Sequence, residues 1–156
     1  MRPYADTNFF TRAYLQLPES GKADRLLAEA KEGGSTALPV TWLHRLEIMN
    51  AFQLHVFLAR ETGQSFISTE RAALAYANFR SDFQDAQFLR PAVVPAPELE
   101  HLFEDLSLRH TARRGCRTYD LLHVAYALAL DCDEFWSFDS KASQLAALEG
   151  LRIHRK

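Results

Sequence analysis

The sequence RTYDLLHVAYALALDCDEFWSFDSKASQLAAL, residues 117–148, decides the fold class of this chain. It begins with an apolar stretch of helical period over 118–131 and continues with a short run of strand-favouring residues over 134–138. A second helical stretch follows over 140–148. A helix, a short apolar strand and another helix in direct succession are typical of an α/β protein whose parallel strands are covered by helices.

The same alternation extends toward the amino terminus and to the end of the chain. Candidate strands are Arg2–Ala5, Thr36–Val40, Ala92–Val94, Glu134–Phe138 and Leu151–His154. Candidate helices lie near 20–32, 41–61, 68–86, 97–111, 118–131 and 140–148, with Thr41 as an N-cap. Because the helices outweigh the strands, we expect a short, central, mainly parallel sheet with helices on both faces.

The composition is that of an ordinary globular protein, with 47% apolar and 24% charged residues among 156. This length predicts a single domain over residues 1–156. No apolar run is long enough for a membrane helix, and the first residues lack the apolar core of a signal peptide. Two isolated cysteines, Cys116 and Cys132, suit a reducing compartment, so we expect a cytoplasmic protein without membrane contact.

The formal net charge of −2 provides no global positive field that would attract nucleic acid. A nucleic-acid substrate would therefore have to be held by a local basic patch or by a metal ion.

Two acidic residues follow predicted strands directly. Asp6 comes after the first strand and Asp139 after the fourth. Parallel sheets bind ligands beyond the carboxyl ends of their strands, so we expect both acids at one edge of the sheet. Taken singly, each acid could instead start a turn or cap a helix.

Two further acids lie on apolar helices. Glu47 is flanked by Leu46 and Ile48, and Asp120 lies near the start of the helix over 118–131. A buried carboxylate requires a partner or a cation. The plainer interpretations are that Glu47 pairs with Arg45 or His44, and that Asp120 is a first-turn acid following an N-cap at Thr118.

Taken together, these segments resemble the PIN-domain nucleases, and among them the VapC-type toxins of toxin–antitoxin pairs. The resemblance covers essentially the whole chain and rests on YADTNFF, LHRLEIMNAF, TYDLLHVAYALAL and EFWSFDSKASQLA. It implies a PIN-like three-layer sandwich and an RNA-cutting site that binds Mg²⁺ or Mn²⁺. By motif alignment the four acids are Asp6, Glu47, Asp120 and Asp139. The resemblance also implies that Asn8 supports the first acid and that Ser137 or Thr118 hydrogen-bonds around the site.

The chemistry of such a cluster supports the same cofactor. Several carboxylates within a few ångströms repel one another unless a cation lies among them, and an all-oxygen set favours Mg²⁺ or Mn²⁺ over Zn²⁺. We expect Asp6, Asp120 and Asp139 to be the main ligands. Glu47 then either binds a second ion or orients the attacking water. His123, three residues after Asp120, is expected to pack beside the site rather than to bind zinc.

A basic run precedes the Asp120 helix. It could hold RNA phosphates, receive the acidic tail of an antitoxin, or be a solvated loop. The same alternatives apply to the carboxy-terminal basic residues. The first group is Arg109, His110, Arg113, Arg114 and Arg117, and the second is Arg152, His154, Arg155 and Lys156.

The acids and the resemblance together predict a Mg²⁺- or Mn²⁺-dependent endoribonuclease, and the resemblance implies RNA as substrate and a cognate antitoxin as partner. The aromatic residues of the amino-terminal half are expected to be mainly core, although some could form a partner groove or a homodimer face, as the family implies. Two alternatives remain at this point. One is a non-catalytic PIN-fold module that binds a partner or RNA, and the other is a housekeeping RNA-processing nuclease.

Overall fold

The computed structural model describes residues 1–154, so Arg155 and Lys156 of the predicted basic terminus lie outside the described residues. The strands are β1 (Pro3–Ala5), β2 (Leu38–Val40), β3 (Leu89–Pro91), β4 (Glu134–Trp136) and β5 (Arg152–Ile153). The helices are α1 (Thr7–Tyr14), α2 (Ser20–Glu32), α3 (Trp42–Glu61), α4 (Thr69–Asp85), α5 (Ala96–Arg114), α6 (Thr118–Ala129) and α7 (Ser140–Leu148).

All strand pairs are parallel, as predicted. Strands β1, β4 and β5 form one sheet in the order β1-β4-β5, and β2 pairs with β3. In the first sheet Ala5 is the register partner of Trp136, and the Asp6 amide donates to the Trp136 carbonyl at 3.0 Å. The carboxyl ends of β1 and β4 therefore lie side by side, and the residues that follow them emerge at one edge.

Successive strand residues point into two different hydrophobic clusters. Tyr4 and Phe135 pack with the helices α5, α6 and α7, whereas Ala5 and Trp136 pack with α1, α2, α3 and α4. Strand side chains alternate between the two faces of a sheet, so these clusters are the two faces of the β1-β4-β5 sheet. Helices thus cover both faces, which confirms the predicted layering.

The side chain of His44 connects the end of β1 to the start of α3. Its Nδ1 accepts the Thr41 amide at 3.1 Å, so Nε2 carries the proton and donates to the Ala5 carbonyl at 2.9 Å. Thr41 is the N-cap of α3, as predicted, and forms a capping box with His44. Both residues are fully buried, so these bonds satisfy polar groups that water cannot reach.

The predicted elements differ from the observed ones in two places. Helix α1 was not predicted, because Thr7–Tyr14 is only eight residues long and rich in residues of modest helix propensity. The predicted third strand, Ala92–Val94, is wrong, since the paired residues are Leu89–Pro91 just before it. The other strands lie within their predicted ranges and are one or two residues shorter.

Among residues 1–154, none of the helices is both long and apolar enough to span a membrane.

Candidate active site

The four predicted acids line one cavity of about 410 Å³, which we call the acidic cavity. It lies beyond the carboxyl ends of β1 and β4, between α1, α3 and α6. Its acids are contributed by the residues after β1 and β4 and by the helices α3 and α6: Asp6, Asp139, Glu47 and Asp120. Segments up to 133 residues apart in the chain thus meet at one place, since the range runs from 6 to 139.

Asp6 is at once the N-cap of α1 and a wall of the acidic cavity. Its Oδ1 accepts the Phe9 amide at 2.8 Å, and its Oδ2 accepts the Ser137 hydroxyl at 2.6 Å. The residue as a whole is 5% exposed. Burial raises the pKa of Asp6 above its ordinary 3.8, and the negative charge of Asp139 adds to this, against lowering by His123 and the two hydrogen bonds.

Asp120 and Asp139 are joined by the guanidinium of Arg117. Arg117 Nε and Nη2 donate to the two oxygens of Asp120 at 2.8 and 3.0 Å, and Nη2 also donates to Asp139 Oδ2 at 2.6 Å. Arg117, not Thr118, is the N-cap of α6. The Arg117 side chain is 58% exposed, so the pairing arginine reaches the carboxylates from solvent.

Asp139 is also the N-cap of α7. Its Oδ1 accepts the amides of Lys141 and Ala142 at 2.8 and 3.3 Å. Burial raises the pKa of Asp139, but the hydrogen bonds from Arg117 and from these two amides outweigh burial and hold the pKa below 3.8. From the sequence, Asp139 could be either a helix cap or an acid of the site. In the structure it is both.

Glu47 is held by Thr7 and His123, and not by Arg45 or His44 as one interpretation of the sequence predicted. The Thr7 hydroxyl and His123 Nε2 both donate to Glu47 Oε2 at 2.7 Å. The Tyr4 hydroxyl lies 2.9 Å from His123 Nδ1, which orients the imidazole. Burial raises the pKa of Glu47, yet the hydrogen bonds and charge supplied by His123, with the Thr7 bond, bring it below 4.5.

In this conformation no three acidic, histidine or cysteine side chains among residues 1–154 are arranged to hold one metal ion. The hydrogen bonds explain this arrangement. The Asp120 oxygens face Arg117, and Glu47 Oε2 faces Thr7 and His123. The acids share a cavity, but a common ion would require Arg117 to turn away from two of them.

The supporting residues named from the sequence differ in their contacts. Ser137 donates to Asp6 and also accepts the Asp139 amide at 2.9 Å, so it fixes the spacing between these two acids. Thr118 is exposed and its hydroxyl makes no hydrogen bond to the four carboxylates. Asn8 lines the acidic cavity, but its Oδ1 is buried without a partner and makes no bond to Asp6.

The predicted basic run does not act as one patch. Arg109 is paired with Asp105 at 2.7 Å and with Glu149 at 2.6 Å, which ties α5 to the end of α7. Arg113 and Arg114 end α5, exposed and without an ion pair in the described part of the chain. Arg117 alone enters the acidic cavity.

The acidic cavity is also lined by residues that were not predicted from the sequence as site residues, among them Thr7, Arg12 and His55. Thr7 also holds Glu47. The spacing of His55 four residues after Ala51 and eight after Glu47 places these residues on one side of α3, which is the signal that could have revealed His55. No comparable local pattern reveals Thr7 or Arg12.

The fold is that of a known toxin structure. VapC20 of Mycobacterium tuberculosis, a sarcin–ricin loop cleaving toxin, is similar over 99% of both chains, with a TM-score of 0.65 and 21% sequence identity. No protein-family model matches this chain, and no curated protein sequence matches it significantly. At this identity the likeness shows the fold alone, and it confirms the predicted PIN-like α/β fold.

Proposed function

We propose that this protein is a metal-dependent endoribonuclease that hydrolyses RNA phosphodiester bonds and acts as the toxin of a toxin–antitoxin pair. The observation that carries the proposal is the convergence of Asp6, Glu47, Asp120 and Asp139 on one cavity at the sheet edge. The fold of VapC20, a toxin that cleaves the sarcin–ricin loop, supports the same class of reaction.

The proposed cofactor is Mg²⁺ or Mn²⁺, and the donor set fits it. All four acids offer carboxylate oxygens, which hard divalent cations prefer, and Arg117 already places positive charge between Asp120 and Asp139. Asp6, Asp120 and Asp139 would hold the ion. When bound, it would polarise the scissile phosphate and lower the pKa of a bound water.

The residues of the chain itself would position the reactants. Glu47 Oε2 is occupied by Thr7 and His123, whereas its Oε1 makes no hydrogen bond to the described residues and can accept one from the attacking water. The alternative role for Glu47 is a ligand of a second ion. Ser137 holds Asp6 in place, and Arg117, once displaced from the carboxylates, can bind a phosphate oxygen of RNA.

The test is cleavage of labelled RNA by the purified protein, using an unstructured oligomer and a sarcin–ricin hairpin. We expect cleavage with Mn²⁺, none with EDTA, and a rate about 100-fold to 1000-fold lower for Asp139→Asn, because one carboxylate of the charged site is lost. Asp85→Asn, at the exposed end of α4, is the matched control and should cleave normally. Full cleavage in EDTA would contradict the proposal, and RNA that binds but stays uncut would favour the non-catalytic module.

The toxin role is proposed from the likeness to VapC20, and it places the site of action in the cytoplasm, with an antitoxin as partner. Expression of the wild-type chain should arrest growth, and expression of Asp139→Asn should not. A neighbouring reading frame that relieves the arrest would identify the antitoxin. Active nuclease without growth arrest would instead favour a housekeeping RNA-processing enzyme.

We also propose that the protein forms a homodimer through an apolar face of α3. Trp42, Leu46 and Met49 follow one another at helical spacing and are 55%, 55% and 45% exposed. With Phe79 and Phe83 of α4 they line a groove of about 680 Å³. Apolar side chains exposed side by side are typical of interaction surfaces.

A further inference from the structure

A second cavity lies directly beside the acidic cavity, and we call it the α2 cleft. Its volume is about 300 Å³, and it opens between α2 and the segment that follows β4. Ser137 and Phe138 line the α2 cleft, whereas the next residue, Asp139, lines the acidic cavity. The two cavities are therefore lined by consecutive residues of one segment, Ser137–Asp139, which we call the shared wall.

The floor of the α2 cleft is aromatic. Phe138 is half-buried and stacks on the buried Phe9, with ring centroids 5.9 Å apart and planes inclined by 4°. Trp136 forms the adjoining part of the floor. A partly exposed ring that is held rigidly by a second ring can stack on a nucleobase, and such stacking contributes about 1–3 kcal/mol per base.

The rim of the α2 cleft is mainly basic. Lys22 and Arg25 lie one turn apart on α2, and both are exposed without an ion pair in the described part of the chain. Arg25 Nε donates to the Gly21 carbonyl at 3.2 Å, which leaves its terminal nitrogens available. His154 lies at the same rim but is paired with Glu134 at 3.5 Å. Glu29 is the acid of the rim, so Lys22 and Arg25 are the cations available to a ligand. This charge balance suits phosphates.

The shared wall is connected to the catalytic acids by direct contacts. Ser137, in the α2 cleft, donates to Asp6 at 2.6 Å. Arg12, which lines the acidic cavity, places its guanidinium carbon 5.4 Å from the centre of the Phe138 ring. The α2 cleft is thus connected to a proposed metal ligand, Asp6, through the Ser137 hydroxyl.

We propose that the α2 cleft binds a nucleotide of single-stranded RNA adjacent to the scissile phosphate, with its base against Phe138 and its phosphates on Lys22 and Arg25. The proposal rests on the proposed ribonuclease function and extends it to substrate binding. The aromatic floor favours a nucleotide over an acidic peptide, because a peptide carboxylate has no flat face to stack.

The test compares Lys22→Glu/Arg25→Glu with Arg60→Glu/Arg71→Glu, which makes the same charge change on exposed residues of α3 and α4. Binding is measured as the Kd of a non-cleavable 2′-O-methyl RNA oligomer. Cleavage is measured as the KM and kcat of the cleavable form of the same oligomer, and both are followed at several salt concentrations. We expect the first variant to raise Kd and KM about 10-fold to 100-fold at low salt and to reduce the salt slope of binding by about 1–2. The control variant should resemble the wild type.

A Phe138 series tests the stacking contact separately. Phe138→Leu should raise Kd and KM, whereas Phe138→Tyr, which keeps the aromatic ring, should leave both at the wild-type values. The Tm of each variant is measured alongside and should equal that of the wild type. Equal RNA affinity in the wild type and in Lys22→Glu/Arg25→Glu would overturn the proposal. RNA that binds through the cleft but is never cut would refute the nuclease function and leave the cleft assignment standing.

Discussion

Asp6 and Asp139 each satisfy the first turn of a helix with one carboxylate oxygen and face another polar group of the site with the other. The two oxygens of a carboxylate make this possible, since capping requires only one. The helix cap also restricts the carboxylate to one orientation. A residue with an ordinary structural explanation can therefore be a site residue as well.

Asp6→Asn should separate stability from activity. The asparagine side chain keeps an oxygen that can accept the Phe9 backbone N–H. The substitution also removes the buried negative charge of Asp6, a carboxyl group whose pKa is raised by burial. We expect the Tm without divalent ions to rise by about 2–4 °C, equivalent to a gain of about 1 kcal/mol at this size. RNA cleavage should fall about 100-fold or more. Thermal unfolding and cleavage assays check both, with Asp85→Asn as the control. A lower Tm for Asp6→Asn would contradict the conclusion that the buried charge of Asp6 destabilises the metal-free protein.

Arg117→Ala should strengthen metal binding while weakening the metal-free protein. Without the guanidinium, Asp120 and Asp139 lose the cation that donates hydrogen bonds to them. An incoming metal ion then no longer competes with Arg117 for their carboxylate oxygens. We expect a lower Tm without divalent ions and Mn²⁺ affinity about 10-fold higher by calorimetry. Arg113→Ala, at an exposed residue with no ion pair to residues 1–154, should leave both unchanged. Weaker Mn²⁺ binding by Arg117→Ala would show that Arg117 does not occupy the cation position.

At the scale of elements, the sequence predicted the long helices closely, whereas it predicted four of the strands too long and placed the third one wrongly. Helices such as α2 and α3 carry their signal over several turns, so their predicted bounds match those observed to within one residue. Three-residue strands carry almost no periodicity, and β3 is defined by its pairing with β2 rather than by its own residues. Helix α1 begins because Asp6 caps it, and its eight residues give too short a pattern to recognise.

The contact between β1 and α3 through His44 should make stability depend on pH. Burial first, and then the charge of His123, lower the pKa of His44 well below 6.5, although the Ala5 hydrogen bond opposes this. Below pH 6.5 the unfolded chain binds a proton at His44 that the folded chain does not, so stability falls as the pH falls. The slope from this group approaches about 1.4 kcal/mol per pH unit.

His44→Gln isolates that contribution, because glutamine can keep the capping box and cannot titrate. In urea unfolding at pH 7, 6 and 5, the wild type should lose more stability than His44→Gln, with a growing difference. His101→Gln, at an exposed position of α5, should follow the wild type. Parallel pH profiles for the wild type and His44→Gln would contradict a buried neutral His44.

Over the whole molecule, the placement of the acids was predictable only in part. A parallel sheet brings the residues after β1 and β4 to one edge whatever the rest of the chain does, so Asp6 and Asp139 could be placed from the alternation of elements. The contacts of Glu47 with Thr7 and of Arg117 with Asp139 depend on how α3, α1 and α6 pack. No local pattern contains that information.

The proposed homodimer predicts a change of mass in solution. Leu46→Glu places a charge in the exposed apolar face of α3, where burial against a second copy would be costly. We expect the wild type to sediment as a dimer and Leu46→Glu as a monomer with a similar Tm. Leu108→Glu, an exposed leucine on α5, is the control and should remain dimeric. A monomeric wild type would refute the dimer.

The most direct test of the metal site is a crystal structure of the protein soaked with Mn²⁺, with the ion located from its anomalous scattering. The proposed site predicts a peak bounded by oxygens of Asp6, Asp120 and Asp139, with the Arg117 guanidinium turned toward solvent. A peak elsewhere on the molecule, or an acidic cavity without Mn²⁺ in which Arg117 still joins Asp120 and Asp139, would contradict it.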